Sequence, residues 1–153
     1  MKQHIYGILR YSGVYWLARL FFGRKLLILC YHGISLRDEH EWWPGVFMRE
    51  QVFCRRLQLL KSCGFKVLGL GEALAALDSN ALSPKSVVIT ADDGYLNSPQ
   101  TLSKACSEYE YPLTIYITSF YAEKQNPIFN VMVQYLFWAL FRSVWKSRPL
   151  MIF

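Results

Sequence analysis

Two adjacent carboxylates, Asp92 and Asp93, are the residues of this sequence with the clearest chemical potential. They follow the apolar and β-branched run 87–91 and precede Gly94, which permits a tight turn. The run predicts a short buried strand, because Val, Ile and Thr fit a pleated sheet. Carboxylates at the end of such a strand repel each other and resist desolvation, so they require a cation, hydrogen-bond donors or water. The pair is a candidate for proton transfer or metal binding, and a solvated loop cap is the alternative.

His32 is the second candidate. It follows the apolar run 26–30, which predicts a strand that is covered on both faces and central in a parallel sheet. Ligands bind at the carboxyl ends of strands in α/β folds, so His32 is a candidate for the rim of the site. A hydrogen-bonded structural histidine is the alternative. The remaining histidines, His4 and His40, also precede the carboxylates.

Alternating strands and helices must position these residues. Apolar patterns predict strands at 26–30, 65–68, 86–90 and 113–118, and helices at 50–63, 72–77, 98–109 and 131–141. Residues 37–45 are predicted to form a loop, in which Trp42 and Trp43 either stack on sugar rings or pack against the core. Such alternation is typical of parallel βαβ units, so the predicted fold class is α/β.

The composition favours one packed domain. The chain has 153 residues, of which 53% are hydrophobic and 16% aromatic, enough for a core. Only 18% are charged, which suggests surface that another molecule covers. The net charge of +6 suits an anionic membrane or an acidic glycan, whereas scattered Lys and Arg without a recognition motif argue against nucleic acid. The four cysteines lack a Cys-x-x-Cys pair and are predicted to be buried free thiols, which favours a reducing compartment.

Residues 1–25 form a basic, aromatic segment that is predicted to be helical. Its longest apolar run, 14–22, contains Arg19 and is shorter than the roughly 20 residues of a membrane-spanning helix. Arg19 also interrupts the apolar part that a signal peptide needs. We expect a helix that packs on the core, with peripheral contact to a membrane as the alternative. The protein is accordingly expected in the cytoplasm or at the cell envelope.

Three segments, in order along the chain, carry a resemblance to a known family. They are Leu-Cys-Tyr-His-Gly-Ile at 29–34, Thr-Ala-Asp-Asp-Gly at 90–94 and Tyr-Pro-Leu-Thr-Ile-Tyr-Ile-Thr at 111–118. On these motifs the chain resembles the polysaccharide deacetylase family (NodB-homology). The resemblance implies a distorted (β/α) barrel, which takes roughly 200 residues or more when whole. The expected fold is therefore a partial (β/α) barrel of the glycoside hydrolase/deacetylase type, roughly its first half.

The same resemblance implies a chemistry: metal-dependent hydrolysis of N-acetyl or O-acetyl groups on a glycan. Asp92 would be the general base and Asp93 a ligand of a divalent metal, usually zinc. The family supplies two further ligands from a His-x-x-x-His motif downstream of the carboxylates, and this sequence has no histidine there. Weak metal binding and an inactive isolated chain are therefore expected. Ala91 stands where the family usually has Phe, so a Phe at this position is expected to fill space and raise stability.

The expected organisation is a segment at 1–25, a truncated deacetylase domain at 26–141 and a tail at 142–153. The alternative to truncation is a second polypeptide that completes the barrel. Two other functions stay open at this point. One is a non-catalytic, membrane-peripheral or interaction protein, suggested by the aromatic N-terminus and the apolar run near the C-terminus. The other is a magnesium-dependent phosphohydrolase, which the absence of a Gly-rich phosphate loop disfavours.

Overall fold

Six strands and six helices make up the described part of the protein, a computed structural model that covers residues 25–95 and 98–146. In chain order they are β1 (Leu27–Tyr31), β2 (Gly33–Ser35), α1 (Glu39–Trp42), β3 (Phe47–Arg49), α2 (Glu50–Ser62), β4 (Lys66–Val67), α3 (Leu70–Asp78), β5 (Ser86–Ala91), α4 (Ser98–Ser107), β6 (Leu113–Ile115), α5 (Ser119–Lys124) and α6 (Phe129–Lys146). All recorded strand pairs are parallel, which confirms the predicted α/β class.

Strand β5 is the centre of a four-stranded sheet, and all of its residues are buried. Strand β1 pairs along one edge of β5, up to Tyr31 opposite Ala91. The other edge is shared, because β4 pairs with the start of β5 and β6 pairs with its end, where Ile115 lies opposite Ala91. Three strands therefore finish together immediately before Asp92.

Within the described residues strand β1 pairs with β5 alone and lies at an edge of the sheet, whereas the sequence predicts a central strand. Leu27 and Ile28 are 45% and 50% exposed, whereas their partners in β5, Val87 and Val88, are buried. An apolar run identifies a strand, but the number of its neighbours is set by segments elsewhere in the chain.

Apolar clusters cover both faces of the sheet. Helices α2 and α4 pack on one face, in a cluster that includes Tyr31, Phe53, Leu57, Ile89 and Leu102. The opposite face carries a smaller cluster of Leu68, Ala73, Leu82 and Val88. Adjacent residues of β5 thus enter different clusters, as the two-residue period of a strand requires.

Helix α2 confirms the prediction from its apolar stripe. Phe53, Leu57 and Leu60 are buried, and their spacing is that of one helix face. Gly64 follows with a φ of +67°, the left-handed conformation that ends many helices. The segment therefore folds as its local sequence specifies.

Residues 33–49 hold regular structure where a loop at 37–45 is predicted. Strands β2 and β3 form a separate two-stranded sheet, and α1 lies between them in the chain. Trp42 in α1 is only 8% exposed, and its ring lies 5.6 Å from that of Phe47. These elements have only three or four residues each, too few for a periodic pattern to reveal them.

Helix α6 is longer at both ends than the predicted 131–141. The Gln134 side chain donates a hydrogen bond to the Trp42 carbonyl at 3.3 Å, which holds the helix against α1. The outer face is apolar and exposed: Leu140 is 62% and Phe141 70% accessible.

The predicted helical segment 1–25 lies outside the described residues except for its last position, as do residues 147–153 of the predicted tail. In the part of the chain that is described, none of the helices combines the length and the apolar character needed to cross a membrane.

All four cysteines are free thiols. Cys106 is buried and Cys54 is half-buried. Cys30 and Cys63 are exposed, so the prediction of buried thiols is wrong for these two. Cys30 is exposed because β1 is an edge strand.

Candidate active site at the end of the central strand

The backbone around Asp92 is held from both sides. Its N–H donates a hydrogen bond of 2.8 Å to the Tyr31 carbonyl at the end of β1. The carbonyl of Ala91 accepts a 2.8 Å hydrogen bond from the N–H of Tyr116, which follows β6. The position of Asp92 is therefore fixed by the sheet itself, a more rigid support than a loop.

A turn follows at once, and Asp93 and Gly94 both have positive φ, of 68° and 62°. Asp tolerates this left-handed region better than most residues, and Gly adopts it freely. A side chain at Gly94 would also crowd Ile117, since an added Cβ would lie 3.1 Å from its Cγ1. The Asp-Asp-Gly order thus suits a turn that sends the two carboxylates in different directions.

Asp92 has a thiol partner. The Cys30 Sγ donates a hydrogen bond to Asp92 Oδ2 at 3.1 Å. Local desolvation raises the pKa of the Cys30 thiol above its usual value, and the hydrogen bond with Asp92 raises it further. The thiol therefore stays protonated at neutral pH and acts as a donor to the carboxylate.

Asp93 has a phenol partner. The Tyr95 hydroxyl hydrogen-bonds to the Asp93 carboxylate. Burial raises the pKa of Tyr95 above its usual value, and the bond to Asp93 raises it further. The ring of Tyr95 packs against Phe47, with centroids 5.1 Å apart. The two carboxylates are thus separately supported, each by one neutral donor from a different element.

Asp93 opens into a cleft of about 890 Å³. Its walls come from the ends of β5 and β6, from β3 and from α1, α5 and α6, and most of the lining residues are aromatic or aliphatic. The lining includes Trp42, Phe47, Tyr95, Tyr121 and Tyr135. A cleft of this size and character, with a few polar groups at one end, is typical of a ligand site.

The histidines do not lie with the carboxylates in the described lining of the cleft. His32 follows β1 and is half-buried, and it is not among the described residues that line the cleft. His40 lies in α1, where its Nε2 accepts a 2.7 Å hydrogen bond from the Arg49 side chain. His4 lies outside the described residues. The rim position of His32 stays a prediction.

The fit of a metal ion can be judged from these partners. Across residues 25–95 and 98–146, no three His, Cys, Asp or Glu side chains are grouped so that they could hold an ion. Asp93 is already hydrogen-bonded to Tyr95, and Asp92 to Cys30. The side chains that the structure describes therefore do not fit a catalytic metal, which takes about three protein ligands.

Two residues of this region escape a reading of the sequence. Cys30 and Tyr95 are the direct partners of the carboxylates. Tyr95 directly follows the Asp-Asp-Gly turn, so its position was a usable signal. The Cys30 contact was not readable, because it depends on the register between β1 and β5.

Solved structures of de-N-acetylases resemble this chain. A de-N-acetylase from Aggregatibacter actinomycetemcomitans matches with a TM-score of 0.53 at 22% identity, over 61% of this chain and 37% of its own. IcaB from Ammonifex degensii matches with a TM-score of 0.54 at 23% identity, over 62% of this chain and 39% of its own. The deacetylase PplD from Streptococcus pyogenes, in complex with acetate, matches with a TM-score of 0.57 at 25% identity, over 71% of this chain and 50% of its own.

These matches show a deacetylase-like fold that spans half or less of the length of those proteins. A scan against protein-family models and a search of curated proteins both gave no match.

Proposed function

We propose that this chain provides the carboxylate part of a polysaccharide deacetylase site, which hydrolyses N-acetyl or O-acetyl groups on a glycan. The observation that carries the proposal is the position of Asp92 and Asp93. They follow the central strand at the point where three strands end, and Asp93 lines a cleft large enough for a sugar. The likeness to solved de-N-acetylases supports the same chemistry.

In this proposal Asp92 is the general base that takes a proton from the attacking water. The sheet fixes its backbone, and the Cys30 thiol orients one carboxylate oxygen, Oδ2. The general-base role assigns proton acceptance to the other oxygen. Asp93 lines the cleft beside the substrate, and His32 is assigned to the rim.

The described residues lack a complete metal site, and the sequence has no histidine after the carboxylates. We therefore propose that this chain alone is inactive and binds a divalent metal such as zinc weakly, with Asp93 as a single ligand. The remaining ligands and the second half of a partial (β/α) barrel would come from residues outside these 153, such as those of a partner polypeptide. The exposed edge of β1, with Leu27 and Ile28, is one surface that such a partner would cover.

The test supplies the second half of a solved de-N-acetylase in trans to the full 153-residue chain. Supply in trans is preferable to a fusion after Tyr135, because that junction would interrupt α6. The mixture is expected to release acetate from an N-acetylglucosamine oligomer, whereas neither part does so alone.

Two variants then assign the roles. Asp92→Asn keeps the shape of the side chain but cannot accept the proton, so the rate is expected to fall about 10²–10⁴-fold. Asp78→Asn, at the exposed end of α3, is the matched control and should leave the rate unchanged. A complex that assembles and binds zinc yet releases no acetate would mean that the likeness is one of fold alone.

A second function is supported by one specific observation, the exposed apolar face of α6. Phe137, Leu140 and Phe141 are 58%, 62% and 70% exposed, which is unusual for side chains of this size. We propose as the alternative a non-catalytic protein that lies on a membrane surface or binds another protein through this face. Flotation with vesicles tests the membrane-bound form of this alternative, because a protein without membrane affinity stays in the bottom fraction.

A further inference from the structure

The cleft beside Asp93 has a continuous aromatic wall. Tyr95 packs on Phe47 with ring centroids 5.1 Å apart, and Phe47 packs on Trp42 at 5.6 Å. Trp42 in turn meets Tyr135 of α6 edge-on at 5.6 Å. All four residues line the cleft. The faces and edges of four linked rings thus border one space, an arrangement that suits stacking on a sugar and attraction of a cation.

The charged side chains of the same cleft have a single sign. Asp93 and Glu39 are the charged residues among its described lining, and no Lys, Arg or His belongs to that lining. Glu39 Oε2 accepts a 2.9 Å hydrogen bond from the Arg37 backbone N–H, so one carboxylate oxygen is already held in place. The nearby Arg142 is engaged outside the cleft, with Asp38 and over the ring of Trp138.

This distribution contrasts with the charge of the whole chain, which is +6. A cation would be repelled by the protein in general and attracted only where aromatic faces and carboxylates meet.

We propose that this cleft binds glycan units that carry a free ammonium group, in preference to the neutral N-acetylated units. The inference rests on the proposed function, because removal of an acetyl group from an amino sugar leaves a primary amine, which is protonated in mildly acidic solution, the condition chosen for the binding measurement. The ammonium is held between the carboxylates of Glu39 and Asp93 and the rings of Trp42 and Tyr135. The substrate class is accordingly a partly de-N-acetylated polysaccharide.

Calorimetric binding to the full chain tests this without any need for catalysis. The probes are a glucosamine tetramer, an N-acetylglucosamine tetramer and tetramethylammonium. The glucosamine tetramer is expected to bind on the order of tenfold more tightly than the other two. Equal or tighter binding of the acetylated tetramer, or no binding of either oligomer, would overturn the proposal. Equal binding of tetramethylammonium would assign the cleft to small ammonium compounds and would overturn the glycan assignment.

Matched variants locate the binding. Glu39→Gln removes a carboxylate of the cleft, whereas Glu41→Gln changes an exposed neighbour in α1 that does not line it. Tyr135→Leu removes a ring of the wall, and Phe137→Leu is its control on the outside of α6. The first variant of each pair should weaken binding of the glucosamine tetramer on the order of tenfold, and the second should not. Equal effects within both pairs would refute the cleft as the site.

Failure of this inference can be told apart from failure of the proposed function. Acetate release by the reconstituted complex depends on Asp92 and does not require a preference for the amine. Binding of the glucosamine tetramer by the chain alone depends on Glu39 and Tyr135 and does not require turnover.

Discussion

Strand β5 and helix α6 are both rich in apolar residues, yet their environments are opposite. Every residue of β5 is buried between strands and the two clusters that cover the sheet. Helix α6 is held to α1 by a hydrogen bond from Gln134, while Leu136, Phe137, Leu140 and Phe141 are at least half exposed. The same kind of side chain is thus buried in one element and largely exposed to solvent in the other. The candidate site lies at the carboxyl end of β5, and α6 contributes one wall of its cleft.

The largest expected effect is the difference in unfolding free energy between a substitution in β5 and one in α6. Ile89→Ala leaves a cavity in a fully buried strand and should lower the free energy of unfolding by about 2–5 kcal/mol. Leu140→Ala removes an exposed side chain and should change it by less than about 0.5 kcal/mol. Urea unfolding of the full chain measures both.

An equal cost for the two variants would contradict the comparison. It would mean that a partner, such as a second copy, covers the outer face of α6 in solution. A midpoint of unfolding that rises with protein concentration would identify that case.

Local sequence was sufficient where a segment alone decides its structure. The stripe of Phe53, Leu57, Leu59 and Leu60 predicts α2, although Leu59 is 61% exposed in the structure. The apolar and β-branched run 87–91 predicts β5, because such a pattern reports one local geometry. The edge position of β1 and the exposure of α6 could not be predicted, since both depend on which distant segments pack there.

The candidate site likewise has one part that the local sequence predicts and another part that depends on distant segments. The Asp92-Asp93-Gly94 turn was evident, because acidic residues after a β-branched run are rare and costly. The Cys30 contact depends on strand register, and the aromatic wall on helix docking. No pattern within one segment encodes either of them.

A substitution of Ala91 has the next largest expected effect on stability, and its expected direction is opposite to the one that the resemblance suggests. The resemblance suggests that Ala91→Phe fills space and stabilises the protein. In the structure Ala91 is 0% exposed and lies between Tyr31 and Ile115. A larger ring would overpack this strand, so a loss of about 1–3 kcal/mol is expected in thermal or urea unfolding.

Ala139→Phe, at a half-buried position of α6, is the control and should cost less than about 1 kcal/mol. A gain in stability from Ala91→Phe would show that the end of β5 has room that the structure does not indicate. The contrast between a tightly packed strand and a loosely covered helix would then be weaker.

Tyr95 follows β5 and lines the cleft that α6 also lines, so a substitution of Tyr95 tests the contact with Asp93. Tyr95→Phe removes the donor to Asp93 and should cost about 1 kcal/mol at neutral pH. Burial and Asp93 raise the pKa of Tyr95 above its usual value near 10. The folded state therefore favours the neutral phenol, and its stabilising effect is fully present below pH 10 and is lost as the pH rises above that value.

The measurement is the free energy of unfolding of both proteins between pH 8 and about pH 11. The wild type should lose more stability than Tyr95→Phe as the pH rises, because other tyrosines titrate in both and cancel. Tyr116→Phe, at an exposed position, is the control and should follow the wild type. Parallel curves for wild type and Tyr95→Phe would contradict the contact with Asp93.

The smallest expected effect concerns the attachment of α6. Arg142 pairs with Asp38 at 3.4 Å, and its guanidinium lies 4.7 Å from the ring centroid of Trp138. Both charged side chains are 40–47% exposed, so water screens the pair and Arg142→Gln should cost about 0–1 kcal/mol.

A double-mutant cycle with Asp38→Asn isolates the ion pair, while Arg142→Lys keeps the charge and removes the planar stacking group. The coupling energy should fall further in high salt. A coupling above about 2 kcal/mol would mean that this pair fixes α6 firmly, and the helix would then belong with β5 to the rigid part of the protein.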